Sequence, residues 1–265
     1  MSPPMNARPK KSFGQHFLHE KRYIERIVSA ISPRADDFVV EIGPGEGALT
    51  LPLLAAAQKL TAIELDTDLI PDLQARAASV GELSIIHSDV LKVDFTALAH
   101  RHGVERLRVA GNLPYYISSP ILFHCVEHAR AIQDMHFMLQ KEVVDRMAAE
   151  PGSKVYGRLS VMLQLACRVE PLFVVPPGAF RPPPKVDSAV VRLVPLEPAQ
   201  LPDADPERIY AIVKAAFAQR RKTLSNALKH VMDAQAIMAA DVDPKARAET
   251  LSPQDYVRLA RVVVE

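Results

Sequence analysis

The chain has 265 residues, 48% hydrophobic and 24% charged, which suits one large domain plus a small one and excludes disorder, collagen and coiled coil as whole-chain readings. Lys plus Arg number 32 against 31 Asp plus Glu, so the net charge of +1 decides nothing about nucleic acid and only the distribution of charge can. The two cysteines, Cys125 and Cys167, sit in apolar settings outside any CxxC pair, and no 18-residue apolar window exists; a disulfide framework, structural zinc or any other metal, and a membrane span are not expected, and the cytoplasm is the expected location.

Residues 1–9 are Pro-rich and polar and are expected to be a disordered tail. The first 27 residues hold six basic and two acidic residues. Residues 22–31 carry apolar side chains at helical spacing and stop at Pro33. Strand patterns at 38–42, 60–65, 83–87, 107–111 and 134–139 alternate with helix patterns at 48–57, 69–80, 95–102, 120–127 and 141–149, followed by a helix at 158–167. That alternation reads as βαβ units in a parallel sheet covered on both faces. Residues 169–175 and 186–194 are strand-like with no helix between them, only a link with five prolines, and predict an antiparallel pair at the sheet edge. A Pro- and Asp-rich linker at 196–206 predicts the boundary between a 10–197 catalytic domain and a small helical domain at 198–265, with helices at 206–219, 222–239 and 253–263.

The chemistry concentrates at the strand tips. Glu41-Ile42-Gly43-Pro44-Gly45-Glu46-Gly47 occupies the first βα turn, where Gly43 and Gly45 let a ligand approach the backbone. Its spacing misses the GxGxxG of nicotinamide enzymes, and no GK[ST] follows, so a Walker A loop is excluded. Alone, such a turn needs no ligand. Glu64 ends the second strand about 20 residues on, where a carboxylate can accept ribose hydroxyls, and Asp89 ends the third, where one can accept from an adenine amine. Asp66 and Asp68 read as turn or cap residues.

The fourth strand ends in Asn112-Leu113-Pro114-Tyr115-Tyr116-Ile117-Ser118-Ser119. The Asn112 amide oxygen and the Leu113 carbonyl can accept from an exocyclic amine, and Tyr115 can stack on a base. The bland alternative is an Asn-initiated turn with two tyrosines covering a sheet edge.

The stretch Asn112-Leu113-Pro114-Tyr115 resembles the motif of S-adenosylmethionine-dependent N6-adenine methyltransferases. Four more stretches in order narrow the match: Phe13-Gly14-Gln15-His16-Phe17-Leu18, Glu41-Ile42-Gly43-Pro44-Gly45, Phe180-Arg181-Pro182-Pro183-Pro184-Lys185-Val186-Asp187-Ser188 and Arg220-Arg221-Lys222-Thr223-Leu224-Ser225. Together, from about Lys10 to the C-terminus, they resemble the small-subunit ribosomal RNA adenine dimethyltransferase family. The resemblance implies a Rossmann-like class I methyltransferase sheet with a small C-terminal helical domain. It implies S-adenosylmethionine held by His16, Leu18, Gly43, Gly45, Glu64, Asp89 and Asn112, with the family often having Asn where this chain has His16. It further implies a catalytic set of Asn112, Leu113, Tyr115 and Phe180, the two rings sandwiching a flipped adenine. The implied reaction places two methyl groups on each of two adjacent adenosines near the 3′ end of 16S rRNA, late in assembly of the small-subunit precursor. A monomer is expected.

Basic residues expected to hold RNA are Lys10, Lys11, Lys21, Arg22, Arg220, Arg221, Lys222 and Lys229; the acid-free run 217–230 rises above the usual solvated-charge reading. The alternatives are a large-subunit rRNA methyltransferase of the antibiotic-resistance type and a largely non-catalytic ribosome assembly factor.

Overall fold

The computed structural model describes residues 16–219 and 221–262. The chain divides into two compact units, one of residues through Val144 together with Glu170–Pro195, the other of Asp145–Val169 together with the chain from Leu196 onward.

The first unit begins with the two-residue strand β1 (Phe17–Leu18) and helix α1 (Lys21–Ile31). Helix α1 ends where Ser32 turns left-handed and gives its N–H to the Val28 carbonyl, one residue before Pro33. Strand β2 (Val39–Ile42) is buried throughout, as its β-branched run requires. Then come α2 (Thr50–Ala57), β3 (Lys59–Glu64), α3 (Ile70–Ala77), β4 (Glu82–His87), α4 (Phe95–Arg101), β5 (Leu107–Asn112), α5 (Ser118–Glu127), β6 (Ile132–Gln140) and α6 (Lys141–Met147). After α7 (Arg158–Gln164) follow β7 (Cys167–Val175), the two-residue β8 (Phe180–Arg181) and β9 (Ser188–Pro195).

Among the described residues a seven-stranded sheet runs in the order β4-β3-β2-β5-β6-β9-β7. Strands β2 to β6 pair in parallel, and β9 lies antiparallel against β6. The expected parallel sheet with late strands at its edge is therefore the fold. The parallel order reverses at β2, between β3 and β5, where ligands of open α/β sheets bind at the carboxyl ends of the strands. A second, two-stranded sheet joins β1 to β8 antiparallel, with Phe17 opposite Arg181 and Leu18 opposite Phe180. Strands this short carry no period to read in a sequence.

One face of the large sheet packs Val39, Leu60, Ala62, Ala110, Met138 and Val190 with α1 and α2 through Ile27, Ile31, Leu53 and Leu54. At its lower end lies a buried ionic knot. Arg108 donates to both Asp134 oxygens at 2.9 and 2.8 Å, to Asp37 at 2.7 Å, and to the Ile31 and Ser32 carbonyls at the end of α1. Burial works against its charge, and the bonds to Asp134 and Asp37 more than offset this.

The second unit comprises α7, α8 (Pro206–Ala218), α9 (Leu224–Leu228), α10 (Ala234–Ala239) and α11 (Pro253–Arg261) with the end of α6. Its core gathers Tyr156, Val161 and Leu165 with Ile212, Val213, Leu224, Tyr256 and Leu259. The phenol of Tyr156 donates to the Leu251 carbonyl and that of Tyr256 to the Ala248 carbonyl. Residues 145–169 thus share a core with the C-terminal helices, unlike the expected continuous 10–197 domain, because Tyr156, Val161 and Leu165 bury their apolar surface there.

A single helix expected over 222–239 is two helices, since the Asp233 carboxylate caps the second by accepting from the Ala236 N–H. Arg221 and Lys222 lie in the turn before α9 rather than on a helix.

Candidate active site

In the turn after β2, Gly43, Gly45 and Gly47 have φ of 68°, 56° and 81°, left-handed values that favour glycine. A Cβ on Gly45 would stand 3.2 Å from the Phe17 ring, and one on Gly47 would stand 2.5 Å from a Leu73 methyl. Side chains here would crowd β1 on one side and α3 on the other, in addition to straining a left-handed backbone.

Glu64 ends β3 and is buried. Its Oε2 accepts from the Gly45 N–H at 3.2 Å and its Oε1 from the Asp66 N–H at 2.8 Å. The carboxylate is so locked between two strand tips, and each oxygen retains a further acceptor position. Asp66 accepts from the Asp68 N–H, the turn role expected for it. Asp89, after β4, accepts from the Leu91 N–H at 3.0 Å while lining the same cavity.

Asn112 closes β5. Its Nδ2 donates to the His16 carbonyl at 3.1 Å, which fixes the carboxamide and turns Oδ1 into the acceptor offered to a ligand. Leu113 is buried, its N–H bonded to the Met138 carbonyl. The half-buried Tyr115 meets Ser188 hydroxyl to hydroxyl at 2.6 Å, and burial raises its phenol pKa against the lowering effect of Ser188. The His16 ring stacks on Tyr115 with centroids 5.8 Å apart and 28° between planes, while His16 Nδ1 lies 2.8 Å from the Pro182 carbonyl oxygen.

One cavity in the first unit is lined by His16, Leu18, Gly43, Gly45, Glu64, Asp89, Asn112, Leu113 and Tyr115, so the expected site residues converge except one. Phe180 is 2% exposed, packed in the core opposite Leu18, and does not line the cavity. Pairing of β8 with β1 turns its ring inward, and the ring facing Tyr115 is that of His16. Among the described residues the ring against Tyr115 is thus His16 and not Phe180, whose expected place is across a bound base.

The sequence left two contributors without a role. Glu41, 1% exposed on β2, lines the cavity, and among the described residues its Oε2 has no hydrogen-bond partner. Burial, with the nearby Glu64 charge adding, pushes its pKa to about 7. Ser188 stands out in the sequence only as the last residue of a proline-rich motif. Of the expected RNA contacts, Lys21, Arg22, Arg221, Lys222 and Lys229 are exposed, Lys21 pairing with Glu25; Lys10, Lys11 and Arg220 lie outside the described residues.

A buried carboxylate lining a cavity suits a cationic ligand, and a locked glutamate at the second strand tip suits a ribose diol. S-Adenosylmethionine carries a sulfonium, an ammonium and a ribose diol, so these residues fit it. Sheet order, glycine turn and strand-tip residues together define an S-adenosylmethionine-dependent methyltransferase of the Rossmann-like class. The chain belongs to the ribosomal RNA adenine dimethylase family, whose model matches residues 6–265. It is 62% identical over 262 residues to a protein of Xanthomonas euvesicatoria pv. vesicatoria named ribosomal RNA small subunit methyltransferase A, covering 99% of both chains. Among solved structures it resembles a dimethyladenosine transferase from Plasmodium falciparum (26% identity, TM-score 0.79, 92% and 96% covered). It also resembles the 23S rRNA methyltransferase ErmE (28% identity, TM-score 0.70, 92% and 97% covered). Among the described residues no helix is long and apolar enough to cross a membrane.

Proposed function

We propose that this enzyme dimethylates N6 of two adjacent adenosines near the 3′ end of 16S rRNA, acting as a cytoplasmic monomer on a late small-subunit precursor. The observation that carries the reading is Asn112, its amide N–H tied to the His16 carbonyl and its side chain lining the same cavity as Tyr115. The 62% identity to a small-subunit enzyme, against 28% to a large-subunit one, favours the small subunit over the antibiotic-resistance alternative. The intact Asn112–Tyr115 constellation argues against a non-catalytic assembly factor.

S-Adenosylmethionine, when bound, supplies an electrophilic methyl group. Glu64 and Asp89 would hold its adenosine half, and Glu41 would balance its positive charge. Adenine N6 is a poor nucleophile because its lone pair is delocalised into the ring. Asn112 Oδ1 and the Leu113 carbonyl accept from the amine, orient its lone pair, and stabilise positive charge as it grows on nitrogen. Tyr115 gives the base its stacking wall. His124 is not a general base, since it bonds to the Val93 carbonyl and packs on Phe95, a structural place, and the proton leaves to water. The exposed basic residues hold the RNA around the flipped adenine, with Lys10, Lys11 and Arg220 contributing as the sequence suggests.

The test is single-turnover methyl transfer to undermethylated small subunits at saturating cofactor. Asn112→Ala should cut the rate on the order of 10²–10³-fold while leaving particle binding close to native. A native rate in this variant would reduce Asn112 to a turn residue before Pro114.

A further inference from the structure

We propose that the His16 imidazole and the target adenine compete for one face of Tyr115, so that a base stacks on that face only by displacing the histidine ring. The inference rests on the reading above that Tyr115 stacks on the target base.

The rings lie 5.8 Å apart and 28° from parallel, inside the range of direct ring contact, roughly 4.5–7 Å. A base inserted between them would need two such contacts in series, and the spacing allows one. Tyr115 cannot give way readily, because its hydroxyl is fixed on the fully buried Ser188. His16 can. Among the described residues its ring makes one hydrogen bond, Nδ1 to the Pro182 carbonyl at 2.8 Å. Its backbone is held separately, by its own carbonyl on Asn112 Nδ2 and by the adjoining β1–β8 pair. Rotation about the side-chain bonds therefore clears the Tyr115 face without releasing Asn112, whose Oδ1 keeps its aim.

The exchange replaces one stack with another and breaks the Pro182 bond. A base that brings only its ring gains little by it. A base that also delivers its exocyclic amine to Asn112 and the Leu113 carbonyl, with its flanking phosphates on basic side chains, gains what the imidazole cannot offer. His16 is in this sense an internal competitor that raises the threshold for adenine. If the ring leaves the face clear for only about 0.1–0.3 of the time, apparent affinity for the base drops roughly three- to ten-fold.

Two measurements test this. In histidine-labelled enzyme carrying S-adenosylhomocysteine, the His16 ring protons, assigned with His16→Asn, should be displaced by the Tyr115 ring current and return in Tyr115→Leu. Titration with adenosine monophosphate should move the native signals toward the Tyr115→Leu positions; signals that stay put throughout would overturn the proposal. With undermethylated small subunits, His16→Asn keeps an amide donor for Pro182 without a stacking ring, and should lower KM for the particle roughly three- to ten-fold. An unchanged or raised KM would count against competition. Mass spectrometry of the product keeps the two readings apart. If native enzyme forms no N6-methylated adenosine, the functional reading falls; if it does and His16 does not move, only the competition falls.

Discussion

The Tyr115 hydroxyl lies 2.6 Å from that of Ser188, bonding the tip of β5 to the first residue of β9, 73 positions away in the chain. Tyr115 thus has two separable parts: a ring facing the cavity and a hydroxyl facing the sheet. Tyr115→Phe keeps the first and loses the second. One hydrogen bond of roughly 0.5–1.5 kcal/mol corresponds to a several-fold fall in single-turnover rate. Ser188→Ala should give the same fall, and the double variant no more than either alone. Losses that multiply would mean the two hydroxyls act independently.

Glu64 ties the glycine turn to the tip of β3 and is assigned the ribose. Glu64→Ala should weaken S-adenosylmethionine binding by roughly 1.5–3 kcal/mol, the cost of charge-assisted hydrogen bonds. Calorimetry with the free cofactor reads this directly. Native affinity would leave Glu64 only its bonds to Gly45 and Asp66.

Glu41 makes the fold sensitive to pH in an unusual direction. Its pKa rises from 4.5 to about 7 in the folded chain. Between those values the folded state holds a proton that the unfolded state has released, so stability falls as pH rises through the window. The total is roughly 3 kcal/mol by the pKa difference. Urea denaturation at pH 5 and pH 8 should show that fall in the native protein and a smaller one in Glu41→Gln. A cationic ligand favours the ionised carboxylate, so cofactor binding near pH 6.5 should release protons, measurable in buffers of different ionisation enthalpy. Buffer-independent heats would remove Glu41 from the cofactor's charge balance.

Arg221 and Lys222 are exposed in the turn before α9. Replacing both with Gln should weaken particle binding and lower the slope of log affinity against log salt by roughly 0.7–0.9 for each phosphate the pair neutralises. A slope identical to native would return both to ordinary surface charge.

Much of this was legible in the sequence because parallel strands buried on both faces, such as Val39–Ile42, read as apolar runs and end in polar residues where the ligand edge begins. Glu64 and Asn112 follow from that rule, whereas Asp89 follows β4, an edge strand with no fully buried residue. Periodicity marks which face of a segment is apolar but not which neighbour covers it, which is why the pattern places Tyr156, Val161 and Leu165 in the sheet domain. The burial of Phe180 was illegible for a related reason. A motif gives the residue, while the β1–β8 register decides which way its ring points, and two-residue strands leave no pattern. The stack of His16 on Tyr115 joins residues 99 positions apart and depends on that same register.

The Arg108 knot also sets where the amino-terminal segment can yield. Its guanidinium fastens the last carbonyls of α1 to β5 and β6, so the amides of the final turn of that helix are released only when the sheet itself comes apart. Phe17 and Leu18 are held by a two-residue ladder against β8. Amide hydrogen exchange should therefore be graded along about fifteen residues, slow at Ile31 and fast at Phe17. That side of the cavity thus rests on a short ladder and on Leu18 in the core, while the helix behind it is fastened to the sheet by charge.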